Sequence, residues 1–392
     1  MNLSSHHVSG RGSIKRSVGR PPVQRAQVAS ALRSRIQSKA WKPGDRLTPR
    51  RELVKELGVS TTALQAAIDQ LHLEGYVETL AGRGTFVATR PPHIYQHGLI
   101  LPESDSDFHR LLEEEAGRRY EADHHHRFKV YRLPSVDSAN FAEAFAELAS
   151  DVDRRVVAGI IISINPGPTQ REVLRLADRS GMPVTLHGSR HDSLGLPIVR
   201  ADMQRFFKVA VDQLRGMGRS RLGLLCGEAW FDRHGEHYES ALTRAGLPLK
   251  SIWLQHVDRQ HHRTVRRLVK LLFSLAPELR PDGLIVTEQD LIPTIRAALA
   301  ELGLTPGEDV DCVFHCNLAV GVDPPAPEGF HWLGFEVTAF FDAFLDQLQA
   351  QKPWLDPEAD PADLPDRGDL VRYIPPRSAD DLAPASASAE RR

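Results

Sequence analysis

Two periodicities divide this chain of 392 residues. Near the N-terminus Val28, Leu32 and Ile36 fall four apart, an apolar stripe that predicts a helix over 24–40. "KPGD" then reads as a turn. Thr48 and Pro49 supply a hydroxyl cap and a proline at the first helical position, opening a helix that runs to about Leu57. Gly58 is a natural C-terminal stop, and Ser60 is suited to cap the next helix. Leu64, Ile68 and Leu71 form the inner face of that helix, and Gly75 ends it. "YVETL", the turn "AGRG" and "TFVA" read as a short hairpin.

After the stiff connector "TRPPH" the period changes. Apolar strands alternate with helices: "GLILP", helix 108–120, "FKVYRL", helix 140–150, "GIIISI", helix 169–180, "PVTLHG" and helix 203–215. The series continues through "RLGLLC", a helix near 236–245, "SIWLQHV", helix 263–274, "DGLIVT", helix 291–302, "VDCVFH" and a last helix near 337–350. Such βαβ alternation gives parallel sheets with helices on both faces. The stretch is too long for one ordinary sheet domain, so two doubly wound lobes are expected. The predicted fold class is α/β, a small N-terminal helical domain joined to a two-lobed parallel-sheet domain. The predicted organisation is a disordered basic arm (1–22), a small helical domain (23–89), a linker (90–95), the two-lobed domain (96–378) and a disordered tail (379–392).

Composition is that of an ordinary globular chain, and three cysteines (Cys226, Cys312, Cys316) fit a reducing cytosol with free thiols. There is no apolar run after the N-terminal charges and no span long enough for a bilayer, which points to a cytoplasmic protein. The net charge of −2 hides an asymmetry. Residues 1–90 hold 15 Lys and Arg against 6 Asp and Glu, while the remainder holds 34 against 45. A basic part joined to an acidic one suggests a polyanion-binding domain; a merely solvated basic tail is the plainer alternative. Yet 56–82, the heart of the helical pattern, has no Lys or Arg, although DNA affinity comes mostly from cations on phosphates.

The motif order "PGDRL", "REL", "ELGVS", "LEGY", "GRGTFV" resembles the GntR-type winged helix-turn-helix over residues 24–90. The resemblance implies that the helix after "ELGVS" enters the major groove, with Thr61, Thr62 and Gln65 toward the bases and Ala66 and Asp69 further along. This sequence departs from the family where Arg often stands at positions 61 and 65. Gln65 suits an adenine edge, and Thr61 and Thr62 suit a base or a thymine methyl; simple solvated helix positions are the alternative. Arg51 matches an Arg of the family pattern, and Arg46, Arg50 and Lys55 flank it. For Arg51 a surface ion pair with Glu52 or Glu56 competes with a phosphate contact. Arg83 sits at the wing tip between glycines. The tail adds Arg11, Lys15, Arg16 and Arg20, a flexible phosphate-seeking arm.

Residues 95–352 resemble the effector-binding region of LacI/GalR-type regulators, similar to periplasmic sugar-binding proteins of type I, through "GLILPESDSDF", "VAGIIIS", "GMPVTLHG", "VRADM", "LRGMGRSRLGLLCG", "ESALTRAGL" and "DGLIVTEQDL". "DLVRYIPPRS" is similar to that family's closing strand. The combination looks like the arabinose-repressor type. It implies a regulator of the repressor kind, whose affinity for a double-stranded DNA operator changes when a sugar-like small molecule binds between the lobes. A homodimer is implied by two-fold operator geometry. The effector residues so implied are Ser106, Phe108 and His109; Trp230 and either Arg233 or His234 in a "GEAWFDRHGEH" loop; Gln289 and Asp290; and Asn317. Core packing is the competing reading for Phe108 and Trp230. Cys316, Asn317 and Gly188 replace polar residues common in the family, which leaves the ligand open. "HHH" at 124–126, "HH" at 261–262 and the pair Cys312/Cys316 lack metal-site geometry, so no metal or cofactor is expected. Rival readings are a dimerising scaffold without ligand, and an enzyme fusion, which the absence of a suitably placed Schiff-base lysine disfavours.

Overall fold

The computed structural model describes residues 23–103, 106–123, 126–188, 196–318, 328–351, 371–374 and 377–378. The expectations for the arm 1–22 and the tail 379–392 fall outside these. The chain forms two compact units, 1–94 and 95–392.

In the first unit the four-residue stripe becomes helix α1 (Val23–Gln37), with Val28, Leu32 and Ile36 buried. Helix α2 spans Arg50–Leu57. It starts one residue later than the Thr48–Pro49 signal suggests. Pro49 itself holds the cap position with extended ψ of 137°, and it has no side-chain acceptor, so Thr48 caps nothing there. The amides of Glu52 and Leu53 instead use the Pro49 carbonyl. Gly58 ends α2 in the left-handed conformation, φ 61°, with its N–H on the Val54 carbonyl. Ser60 caps α3 (Thr61–Leu73), its Oγ accepting from the Ala63 amide at 3.2 Å. Leu64, Ala67, Ile68 and Leu71 face the core formed with α1. Strands β1 (Val77–Leu80) and β2 (Gly84–Val87) pair antiparallel as the wing. Arg33 on α1 grips Glu74, the C-cap residue of α3, with three hydrogen bonds of 2.7–3.1 Å. Both side chains are less than a tenth exposed. The segment expected as a linker carries a single helical turn, α4 (Pro92–Tyr95).

The second unit contains two sheets of six strands. In the first lobe β3 (Gln96–Pro102), α5 (Asp107–Asp123), β4 (Arg127–Leu133), α6 (Phe141–Asp153), β5 (Ile160–Ile162), α7 (Pro168–Ser180), β6 (Val184–His187) and β7 (Ile198–Ala201) follow in order. The second lobe contains α8 (Met203–Gly216), β8 (Leu222–Cys226), α9 (Glu228–Ala245), β9 (Leu254–His256), α10 (His262–Phe273), β10 (Gly283–Val286), α11 (Ile292–Glu301), β11 (Asp311–Leu318) and β12 (Phe330–Glu336). The chain then returns through α12 (Val337–Gln351) and β13 (Val371–Ile374) to the first lobe, and β14 (Arg377–Ser378) closes the second sheet.

The strand orders are β4-β3-β5-β6-β7-β13 and β9-β8-β10-β11-β12-β14, the same winding twice. All pairings are parallel except β12 with β14. Strands β7 and β12 are additions to the alternation read from sequence. β7 has only four residues, and the half-exposed His331 and Trp332 interrupt the apolar run of β12. Helix α9 begins at Glu228, eight residues before the expected start, so "GEAWFDRHGEH" is helical rather than a loop. Gly235 inside it conceals the pattern. The Phe231 ring lies where a Cβ at 235 would stand, 2.7 Å away, so the glycine is a packing requirement and not a break.

One apolar cluster runs through both lobes. Leu99, Leu101 and Leu112 of the first lobe join Phe206 and Phe207 of α8 and Phe340, Phe341 and Phe344 of α12. Each lobe has a further core on the other face of its sheet.

Candidate functional site

The small unit presents its polar side chains around α3. Thr61 and Thr62 are exposed in the first turn of that helix, and Gln65 is half-buried one turn on. Gln65 Nε2 donates to Asp69 Oδ1 at 2.7 Å, an i,i+4 pair that fixes the amide on the helix surface. Ala66 is half-buried. Arg50, Arg51 and Lys55 are exposed on α2. Arg46 pairs as an isolated bridge with Phe86 on the wing and lays its guanidinium against Gly84. Arg83 lies over the Phe86 ring, 5.9 Å from its centroid. The fold thus brings Arg46 and Arg83 to one wing residue. Among the described residues, none of Arg46, Arg50, Arg51, Lys55 and Arg83 forms an ion pair. The competing reading of Arg51 fails at Glu56, which Arg35 takes at 2.7 Å, holding that carboxyl below its usual range. Five uncommitted cations therefore surround a helix that carries no Lys or Arg, and the N-terminal amides of that helix add a partial positive charge of their own.

The second unit gathers its candidate residues at the C-terminal ends of the strands, where ligands bind in doubly wound sheets. Ser106 precedes α5; its Oγ accepts from the His109 amide and sits 2.8 Å from His109 Nδ1. Phe108 turns inward. Its ring lies 4.5 Å from His187 at the end of β6 and 5.4 Å from Phe340, as the packing alternative predicted. Trp230, in the first turn of α9, packs edge-on against Phe207 and His234 at 5.4 and 5.0 Å. The helix separates the next two candidates: His234 is turned inward and Arg233 is exposed. Gln289 donates from Nε2 to Asp107 Oδ2 at 3.1 Å, joining the two lobes. Asp290 stands 3.7 Å from Arg259. Asn317 is half-buried near the end of β11. Gly188, just past β6, donates its N–H to the Val199 carbonyl of β7 at 3.4 Å.

Burial governs the titration of the inner wall. It pushes His187 down to about 3 and His234 and His315 down to about 4, so all three rings are neutral at physiological pH. Burial also raises the carboxyls of Glu288 and Asp290, and for Asp290 the neighbouring Asp107 charge adds to it.

Outside this wall a cavity of about 560 Å³ opens between the lobes. Ser106, Asp107, Arg110 and Arg132 line it from the first lobe, and Arg259, Gln260, His262 and Asp290 from the second. Of the residues expected at an effector site, Ser106 and Asp290 line it and Gln289 contacts its wall through Asp107. Phe108 and Trp230 belong to the apolar cluster instead. Sequence reasoning missed Asp107, Arg110, Arg132, Arg259, Gln260 and His262. A signal is present: "DRQHH" closely succeeds the C-terminal end of β9, but its paired histidines are weighed in the sequence only against a metal site, which they do not fit. Those histidines are otherwise engaged, His261 with Asp258 and His262 with Thr294, each at 2.8 Å. Among the described residues no group of three His, Cys, Asp or Glu is arranged to hold a metal.

Residues 18–87 match the family model "Bacterial regulatory proteins, gntR family". The histidine utilization repressor of Pseudomonas aeruginosa is 31% identical over 129 residues, which cover 32% of this chain and 45% of that protein. The chain spans half or less of the length of the curated relatives it matches. Among solved structures, a regulatory protein of the LacI family from Chloroflexus aggregans superposes with a TM-score of 0.54 at 15% identity, covering 72% of this chain and 96% of the other. A LacI family transcriptional regulator from Enterococcus faecium, solved with bound ribose, gives 0.52 at 16% identity with the same coverage. The chain therefore joins a GntR-type helix-turn-helix domain to a unit with the periplasmic-binding-protein-like fold of LacI-family regulators. Among the described residues no helix is long and apolar enough to cross a membrane.

Proposed function

We propose that this chain is a cytoplasmic, sequence-specific transcriptional regulator of the repressor kind. It binds a two-fold symmetric operator as a homodimer and changes its DNA affinity when a small molecule binds between the lobes. The observation that carries the DNA-binding part is the set of cations around α3, Arg46, Arg50, Arg51, Lys55 and Arg83, which form no ion pair among the described residues. They supply phosphate affinity while Thr61, Thr62 and Gln65 read base edges. The P. aeruginosa relative is named a repressor, which supports the direction of control.

The effector part rests on the polar inter-lobe cavity at the strand ends, in a fold whose E. faecium neighbour holds ribose. No catalytic step is assigned to the cavity. Fluorescence anisotropy with DNA from the chain's own promoter region tests the first part. Binding that a random duplex of equal length matches would refute sequence-specific recognition. A second reading, an α/β scaffold without a ligand, is favoured by Phe108, His187 and Phe340, whose rings pack on one another and leave Phe108 committed to the core. Calorimetry with metabolite panels separates the two: the scaffold reading expects no heat and no change in operator affinity with any compound.

A further inference from the structure

The effector reading leaves the chemical class of the ligand undetermined, and the cavity lining narrows it. Among the described residues, no Phe, Tyr, Trp or aliphatic side chain lines the cavity. The rings expected to stack on the C–H face of a neutral sugar are already committed. Phe108 is packed on His187 and Phe340, and Trp230 on Phe207 and His234. The lining instead carries three guanidiniums, Arg110, Arg132 and Arg259, against two carboxylates, Asp107 and Asp290.

The three arginines are not equivalent. Arg110 donates to Glu114 at 2.6 Å, and Arg132 donates to Glu113. Arg259 meets Asp290 only at 3.7 Å, longer than a hydrogen bond, so its planar fork remains available for a bidentate acceptor. Asp107 comes from α5 and Asp290 from the turn after β10, and the Asp107 charge raises the Asp290 carboxyl beyond what burial does. Ligand hydroxyls donating to both would relieve that repulsion.

We propose that the cavity binds a small hydroxylated organic anion. Its carboxylate or phosphate sits on the Arg259 fork, and its hydroxyls donate to Asp107 and Asp290. A volume of about 560 Å³ suits one such molecule with a few waters.

Calorimetric titration of the full chain with gluconate, glucose 6-phosphate, glucose and glutamate tests this. At least one of the first two is expected to bind, more weakly as salt is raised, and at least tenfold more tightly than glucose. Gluconate alone would identify a carboxylate head, glucose 6-phosphate alone a phosphate. Arg259→Gln should weaken that binding about 10- to 100-fold, the loss of a charge-assisted pair. Arg259→Lys should recover part of it, and an unchanged melting temperature of the unliganded variants certifies their fold. Equal affinity for glucose, tighter binding of glutamate, or no heat from either hydroxylated anion at millimolar concentration overturns the inference. Operator affinity measured with and without the bound anion tests the effector reading separately. An anion that binds without moving it leaves the ligand class standing and removes the regulation, whereas glucose that binds and releases the operator does the reverse.

Discussion

The Arg33–Glu74 pair offers a test of what holds the helix-turn-helix in shape. It ties α1 to the C-terminal end of α3 through three hydrogen bonds, with side-chain exposures of 8% and 6%. Removing one partner of so buried a pair strands the other charge, which costs about 3–5 kcal/mol. A domain of this size has about 3–10 kcal/mol in total, so Glu74→Ala removes a large share of its stability. At roughly 4–8 °C per kcal/mol for small domains, the unfolding transition of the N-terminal unit should fall by more than about 10 °C. Scanning calorimetry of the full chain, with operator binding tracked against temperature, reads this directly. The larger unit should keep its own transition. Replacing both partners with apolar residues of similar volume, Arg33→Met with Glu74→Leu, should recover most of the loss, because no buried charge is then left alone. Gln70 Nε2, 2.9 Å from Glu74 Oε1, loses a partner in both cases and limits the recovery. A loss under about 1 kcal/mol in the single variant, or a double variant no better than the single, would show that water already screens the pair and refute the reasoning.

Gln65→Ala should flatten the preference at one base pair by about 1–3 kcal/mol of discrimination, read by binding to a set of single-substitution operators. Arg51→Ala should lower affinity for every sequence alike and shallow the log–log salt slope by roughly 0.9; deletion of residues 1–22 should shallow it further if that segment touches phosphates. Stability should fall as pH drops below 6.5, the ordinary histidine value, because the unfolded chain takes up protons that His187, His234 and His315 refuse down to about 3–4. Each ring contributes about 1.4 kcal/mol per pH unit across that window and nothing above it. Melting temperature measured from pH 7.5 to 5 checks it, and His315→Asn should lessen the slope. Gly334→Ala should destabilise the second lobe severely, since a Cβ there would meet the Cys316 carbonyl oxygen at 2.0 Å; a normal melting curve for that variant would contradict the packing of β11 on β12.

Much of this architecture is legible in local sequence because its signals are local. Val28, Leu32 and Ile36 repeat at helical spacing, Gly58 and Ser60 mark the turn by backbone and hydroxyl chemistry, and isoleucines 160–162 form a strand buried on both faces. What escaped the sequence depends on side-chain and strand partners that no apolar period reveals. Strand β7 is short and receives β13, whose residues lie beyond strands β8 to β12 of the second lobe. Gly235 looks like a break until the Phe231 ring is seen to occupy its face. The cavity wall joins Asp107 to Gln289, residues 182 positions apart, and no periodicity announces such a meeting. Phe108 shows the limit of family pattern as a guide: its position suits a ligand ring, but His187 and Phe340 have taken that face.

The return of the chain through α12 to β13 also fixes an order of manufacture. Five of the second lobe's six strands, β8 to β12, lie in one uninterrupted stretch that is complete once residue 336 has emerged, and only β14 follows later. The first lobe begins earlier but its edge waits longest, because the strand that covers β7 lies about 170 residues downstream. At ribosomal speeds of roughly 5–20 residues per second, β7 waits about 10–30 s as a bare sheet edge. A nascent edge of that kind invites pairing with a neighbouring chain. The nascent chain is therefore most exposed to misassembly before β13 is made, and a stop shortly before residue 371 would leave the edge of β7 permanently open.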